Sequence, residues 1–365
     1  MKFYMPVRMF SGADCVSGHA DDIASFGKKC LIVTGASSAK KSGALDDALQ
    51  ALTSRGVSYV IYDKIHENPL LISCIEAGKL ARETAAEFVL GIGGGSPLDA
   101  ARATAVFAAN PGMDEDGLYS LKWANKPLPI VLIGTTAGTG SEVTSVSVLT
   151  DSRGRKHSVS DPRLFASLSL GDPKYTRSMP RPVTLSTGID AFCHSAESYL
   201  SRKADPFSKA ASAESIRLMY RPLMKAIGGE DLGDMDRADL YDASVLGGVA
   251  ISVTGTCMPH NVGYLLTEQL HLPHGFACAV LFESMFTIIR ERAREQYESF
   301  LADTGLTQEQ ILSMVRGAVK DVKVNLTAEQ IEEALPRWEN NKSVKNTQGN
   351  ITTEDIRAAL RKFVK

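Results

Sequence analysis

The apolar run at residues 88–92, Phe-Val-Leu-Gly-Ile, passes directly into Gly93-Gly94-Gly95-Ser96 and then into an alanine-rich stretch over 100–108. A run of that length without polar alternation reads as a strand buried on both faces, which belongs to a parallel sheet covered by helices. Its neighbours follow the same rhythm. Residues 31–34 form a β-rich run ending at Gly35, 57–62 form a second, and 129–134 a fourth. Helical periods over 40–54 and 70–83 separate them. Strands alternating with helices predict an α/β unit with a parallel sheet in the first half.

The second half loses that alternation. From about residue 184, helical periods cover 190–200, 209–226, 237–251, 276–302, 308–322 and 353–364. Pro180 and Pro182 stand at the change. At roughly 150 residues per domain, 365 residues suit two domains, 1–180 α/β and 181–365 all-helical.

Charge narrows the partners. Forty Lys and Arg against 42 Asp and Glu give a net charge of −2, without the basic excess that nucleic acid or an anionic membrane requires. No apolar run approaches the ~18–20 residues of a membrane span. The first six residues lack the apolar core of a signal peptide. Cys15, Cys30, Cys74, Cys193, Cys257 and Cys278 form no Cys-x-x-Cys pair. They read as reduced thiols, so the expected location is the cytoplasm.

Two loops carry polar chemistry. Gly93-Gly94-Gly95-Ser96 joins a strand to a helix, where free backbone N–H groups and the helix dipole favour a phosphate. Ser96 is expected to cap that helix, with Asp99 three residues on at capping-box spacing. A tight turn without a ligand would have the same sequence. The second loop, Thr135-Thr136-Ala137-Gly138-Thr139-Gly140-Ser141-Glu142, follows the fourth strand. Loops at the carboxyl ends of parallel strands line the ligand crevice, so both can face one ligand.

A third group suits a metal. Asp190 and His194 stand four apart, on one face of a helix for which Thr187 is the expected N-cap. Spacing alone leaves an ordinary carboxylate–imidazole pair open. His260, after Pro259 and past a helix, and His274, in Pro273-His274-Gly275, add two imidazoles, with His271 a rival ligand. Three imidazoles and a carboxylate favour iron(II) or zinc(II) and leave a position for a substrate oxygen.

In this order the motifs resemble the iron-dependent (group III) alcohol dehydrogenases, the family of lactaldehyde reductases, butanol dehydrogenases and 1,3-propanediol dehydrogenases. The likeness spans nearly the whole chain. It implies a Rossmann-like dinucleotide-binding domain, an all-α metal-binding domain and a dinucleotide in the cleft between them. Gly94, Gly95, Ser96 and Asp99 would hold the pyrophosphate and ribose. Thr135, Thr136, Thr139 and Ser141 would lie along the cofactor, with Lys156 near it. Asp190, His194, His260 and His274 would bind the metal, and hydride would pass between nicotinamide and the carbon of a small aldehyde or alcohol. A homodimer pairing through residues 3–10 is also implied.

Two positions depart from the family pattern. Where many members carry a further histidine four residues after the third ligand, this chain has Tyr264. Its proton path then runs through Tyr264, a water chain, the ribose hydroxyls or His271, and Tyr264 equally suits a pocket wall beside Phe165, Leu265 and His271. Where NAD-preferring members carry an aspartate after the first strand, this chain has Gly35, followed by Ser37, Ser38, Lys40 and Lys41. Space, hydroxyls and two cations suit a 2′-phosphate, so NADP(H) is expected over NAD(H). Asp63, near the end of the second strand, is the opposing signal. Rival readings are a metal-independent maleylacetate-type reductase, a dehydroquinate synthase-like lyase, and an inactive nucleotide-binding relative.

Overall fold

The computed structural model describes residues 3–364. The chain forms two compact units, Met5–Met179 and the chain from Pro180 onward with residues 3 and 4.

The first unit is built on β1 (Arg8–Ser11), β2 (Lys29–Gly35), β3 (Ser58–Ile65), β4 (Phe88–Gly93), β5 (Ile130–Gly134), β6 (Val146–Thr150), β7 (Lys156–Ser160) and β8 (Leu168–Gly171). Six strands make one parallel sheet in the order β1-β8-β5-β4-β2-β3, while β6 and β7 form an antiparallel hairpin. Side chains alternate between two apolar layers. Leu31, Val33, Val89, Ile130 and Leu132 enter one core; Cys30, Ile32, Leu90, Val131 and Ile133 enter the other. Both faces are dry, as continuous apolar strands require. Helices α1 (Ala44–Ser54), α2 (Leu71–Glu83) and α3 (Gly95–Ala109) supply much of the covering surface.

The sheet has six strands where the sequence periods predict four. β1 and β8 are four residues each, too short to raise a periodic signal. The helix expected over 40–54 is broken, because Gly43 adopts a left-handed φ of 83° between a short turn at Ser38–Lys41 and α1.

Strand order locates the ligand face. β2 pairs with β3 on one side and β4 on the other, so the chain reverses its winding between β2 and β4. Ligands of doubly wound sheets bind at that reversal, outside the carboxyl ends. The Gly35 loop leaves β2 there and the Gly94 loop leaves β4.

The second unit is helical: α4 (Arg181–Tyr199), α5 (Pro206–Gly228), α6 (Asp234–Thr254), α7 (Met258–Leu270), α8 (His274–Arg292), α9 (Arg294–Thr304), α10 (Gln308–Val319) and α11 (Thr353–Arg361), with shorter turns between them. Thr187 is not an N-cap: α4 begins at Arg181, and the Thr187 hydroxyl donates back to the Val183 carbonyl. His260 follows α6, as expected, and itself lies in the first turn of α7, where Pro259 costs no hydrogen bond. The helix expected over 276–302 is two, divided at Ala293, whose φ of −141° is not helical. No single helix among the described residues is long and apolar enough to cross a membrane.

Candidate metal centre and nucleotide loops

The metal-type residues come from three helix segments. Asp190 and His194 lie mid-way along α4, His260 in the first turn of α7, and His274 opens α8 after Pro273. Gly275 makes the last approach possible. A Cβ there would meet the Ser186 carbonyl oxygen at 1.9 Å and the Asp190 Cβ at 2.9 Å. Only a residue without a side chain lets the start of α8 settle onto α4.

The rings form a chain. His194 stacks on His260 with centroids 4.3 Å apart, His260 meets His274 edge-on at 5.3 Å, and Tyr264 stacks on His274 at 5.2 Å. Asp190, His260, His274 and Cys278 each offer a donor atom, all within 4.8 Å of one another. His194 joins that group through its ring contact rather than within that radius.

Asp190 Oδ1 and His260 Nε2 face each other at 3.4 Å, and neither makes a hydrogen bond. Buried polar atoms without partners are rare and costly. Burial alone would raise the Asp190 pKa, yet His194, His260 and His274 around it hold its carboxyl well below the usual range. A buried carboxylate among three imidazoles, which give up their protons to a metal, is the donor set of a divalent cation, so the residues present fit a metal.

Glu197, absent from the sequence-derived site, completes the arrangement. Its Oε1 lies 2.6 Å from His260 Nδ1, and its Oε2 accepts the Cys257 backbone N–H at 2.7 Å. A proton on Nδ1 donated to Glu197 leaves the Nε2 lone pair facing Asp190, the carboxylate–histidine device common behind metal ligands. The available signal was its spacing: Glu197 is two helical turns beyond Asp190 on a helix with almost no exposed positions. Cys278 was also missed, one turn beyond His274 on α8.

His271 stands apart. It is exposed and left-handed, with φ 53°, at the end of α7, and among the described residues no ring contact joins it to the cluster. Leu265 is buried in the core rather than lining an open wall.

In the first unit, Gly94 and Gly95 lie under the second polar loop. A Cβ on Gly94 would meet Thr136 Cγ2 at 3.0 Å, and one on Gly95 would meet Thr139 Cγ2 at 2.7 Å. The Thr135 N–H donates to the Gly93 carbonyl at 2.9 Å, so the loops after β4 and β5 are joined. Ser96 is not the cap of α3. Gly94 takes that position and no side chain bonds the first turn, whose amides therefore remain available to an anion.

Asp99 makes no capping box either. Its Oδ1 accepts the Ser141 hydroxyl at 2.8 Å and Arg102 at 3.2 Å, and its Oδ2 accepts the Val148 N–H at 2.9 Å. Arg102 is fully buried. It also donates to the Ser141 hydroxyl, the Ser141 and Thr144 carbonyls and the Leu164 carbonyl. Asp99 and Ser141 thus brace the loop around Arg102. Lys156 opens β7, and its charge also acts on Asp99. Beyond β2, Ser37, Ser38, Lys40 and Lys41 are exposed; among the described residues neither lysine forms an ion pair. Asp63 is exposed on β3.

A doubly wound sheet with braced polar loops after β4 and β5, and a helical unit carrying a carboxylate–imidazole centre, define the architecture of a metal-dependent dehydrogenase. Residues 6–173 match the family model described as iron-containing alcohol dehydrogenase, and residues 184–335 match the C-terminal model of the same family. The chain belongs to the iron-containing alcohol dehydrogenase family, and it is an oxidoreductase of that type. Long-chain-alcohol dehydrogenase 1 of Geobacillus thermodenitrificans is 36% identical over 276 residues, 74% of this chain and 69% of that protein. The crystal structure of an iron-containing alcohol dehydrogenase from Thermotoga maritima superposes with TM-score 0.90 at 36% identity, covering 99% of this chain and 98% of that one. That of sulfoacetaldehyde reductase from Bifidobacterium kashiwanohense, in complex with NAD+, superposes with TM-score 0.87 at 25% identity, covering 99% and 98%.

Proposed function

We propose that this protein interconverts a small aldehyde and its primary alcohol, uses NADP(H) in preference to NAD(H), and holds iron(II), with zinc(II) as the alternative metal. The observation that carries the reading is the facing pair of Asp190 Oδ1 and His260 Nε2, two buried donors without hydrogen bonds, inside a cluster of imidazoles. When bound, the metal supplies Lewis acidity toward the carbonyl or alcohol oxygen, and the nicotinamide supplies or accepts the hydride.

The chain's own side chains bind and orient. Asp190, His194, His260 and His274 would hold the metal, and Glu197 fixes which nitrogen His260 presents. The first-turn amides of α3, under Gly94, Gly95 and Ser96, suit the pyrophosphate. Thr135, Thr136 and Thr139 suit the rest of the dinucleotide, while Asp99 and Ser141 keep their loop in place through Arg102. Tyr264, stacked on His274, is the better placed of the two proton-carrying candidates, because His271 is exposed at a helix end. Its Oη would hold the proton that the product oxygen gains.

NADP(H) is favoured by the loop after β2. Gly35 brings no carboxylate, and Lys40 and Lys41 are exposed cations. Steady-state kcat/KM with both cofactors tests this. NADPH should lead by about tenfold or more, and the Lys40→Ala/Lys41→Ala double variant should lose about tenfold with NADPH alone, since a charge-assisted hydrogen bond contributes roughly 1.5–3 kcal/mol. A clear preference for NADH would overturn the cofactor assignment. The reading also includes a cytoplasmic homodimer, for which β1 leaves an open sheet edge.

A further inference from the structure

The helix that carries His260 and Tyr264 has no cap of its own. α7 starts at Met258, and the side chain before it, Cys257, bonds none of the first-turn amides. The chain arrives there through Gly255, whose φ is 71°, at a bend of 108° between α6 and α7. Met258, Pro259 and His260 are all buried, so the amides of this helix start need acceptors from elsewhere in the chain. Two side chains supply them. Glu197 Oε2 accepts the Cys257 N–H at 2.7 Å, and Thr347 Oγ1 accepts the Met258 N–H at 3.0 Å. Glu197 also serves His260; Thr347 has no role in the site as read so far.

Thr347 belongs to a strap near the C-terminus. A short helical turn, Lys342–Asn346, capped by the Asn341 side chain, delivers it. On the α6–α7 side, Asn346 Nδ2 donates to the Thr254 carbonyl at 3.0 Å and the Thr256 carbonyl at 3.2 Å. On the α4 side, Asn346 Oδ1 accepts the Ser201 hydroxyl at 2.9 Å, and the Asn346 carbonyl accepts the Arg202 N–H at 2.7 Å. The Thr347 carbonyl accepts Arg202 Nε at 3.2 Å, and the Gln348 N–H donates to the Leu200 carbonyl at 3.2 Å. The Thr347 hydroxyl spends its one proton on the Ser343 carbonyl, at 3.1 Å, which leaves a lone pair for Met258. Both side chains are buried, Thr347 completely. The strap therefore bonds the end of α4, the helix of Asp190 and His194, to the start of α7, the helix of His260.

We propose that Thr347 and Asn346 are positioning residues of the metal centre: from the far end of the chain they cap α7 and fix where His260 stands relative to Asp190. The inference rests on the metal-centre reading above. A binding site works only when its groups are held within about 0.5 Å of the required geometry. His260 is two residues past Met258, in the same helical turn. Without the Thr347 oxygen the Met258 N–H is buried and unpaired, which is costly, and the helix start shifts to find another acceptor. That shift carries His260 Nε2 away from Asp190 Oδ1, which it faces at 3.4 Å.

Zinc(II) affinity of the full-length protein, measured by competition with a chromogenic chelator, tests the strap. Thr347→Val keeps the shape of the side chain and removes the acceptor, so affinity should fall about tenfold, the low end of the loss on removing an outer partner. Thr347→Ser keeps the hydroxyl and should keep wild-type affinity. A packing role would give the opposite order, because serine loses the buried methyl group and valine does not. Wild-type affinity in Thr347→Val, or a Thr347→Ser protein weaker than Thr347→Val, would overturn the positioning role and leave the metal centre standing. A wild-type protein that binds no zinc(II) would overturn both readings. Hydrogen exchange gives an answer without a variant. Coupling between two sites is reciprocal, so zinc(II) should slow amide exchange in residues 343–348 as well as in 255–261, and more than in α10. Exchange in 343–348 that is the same with and without zinc(II), or slowed no more than in α10, would overturn the proposal.

Discussion

Glu197 accepts from both His260 Nδ1 and the Cys257 amide, deep inside α4. In Glu197→Gln the side chain keeps its shape but no longer offers two acceptor oxygens, and the imidazole loses the group that fixes its tautomer. Metal affinity measured by chelator competition should fall about 10–100-fold, the usual effect of removing a histidine's outer partner. Unchanged affinity would reduce Glu197 to packing. Tyr264→Phe separates the two roles open to that ring. The stack on His274 survives, so a loss confined to the hydroxyl should lower kcat by about 10²-fold, within the range of general acid–base catalysis. A variant with wild-type kcat would leave Tyr264 as a pocket wall.

At the scale of elements, the loops of the first unit hang on one buried guanidinium. Arg102 on α3 ties Asp99 to the Ser141 and Thr144 carbonyls after β5. Removing one member of such a pair leaves the other charge buried, so Arg102→Met should cost about 3–5 kcal/mol in denaturant unfolding. An unfolding midpoint within error of the wild type would contradict the bracing role. On α11, Asp355 closes a capping box with Thr352 and pairs with Arg292 at the end of α8. The Arg292 hydrogen bonds, against partial burial, bring the Asp355 carboxyl down to about 2. A depressed carboxylate stabilises the fold above its unfolded pKa, and that contribution disappears as pH falls through the folded one. Asp355→Asn should therefore melt lower than the wild type at neutral pH, with the gap closing toward pH 2.

These elements also separate what the sequence discloses from what it conceals. β4, the glycine loop and α3 were legible because a dry strand, three glycines and an alanine-rich helix leave few other structures. His194 and Asp190 were legible as a pair because four residues is one helical turn. The Arg102–Ser141 and Glu197–His260 contacts were not, since they join residues 39 and 63 positions apart. His260 was expected after Pro259 and past a helix; that Pro259 opens a further helix, as proline in a first turn can, was not read from the sequence. Ser96 looked like a cap by residue type, yet Gly94 holds the position, which keeps side-chain oxygen away from amides suited to an anion.

For the whole molecule, a near-neutral charge of −2 conceals local choices of sign. Lys40 and Lys41 are exposed beside a loop without acidic residues, while Asp190 and Glu197 are buried with histidines. The family fixes the reaction class, and on the proposed reading hydride transfer depends on the metal held at the Asp190 cluster. The most direct test is NADPH consumption with a panel of small aldehydes, measured on iron(II)-loaded protein and on the same protein after chelation. Turnover should disappear on chelation and return on adding iron(II) or zinc(II). Equal turnover before and after verified metal removal would contradict that dependence.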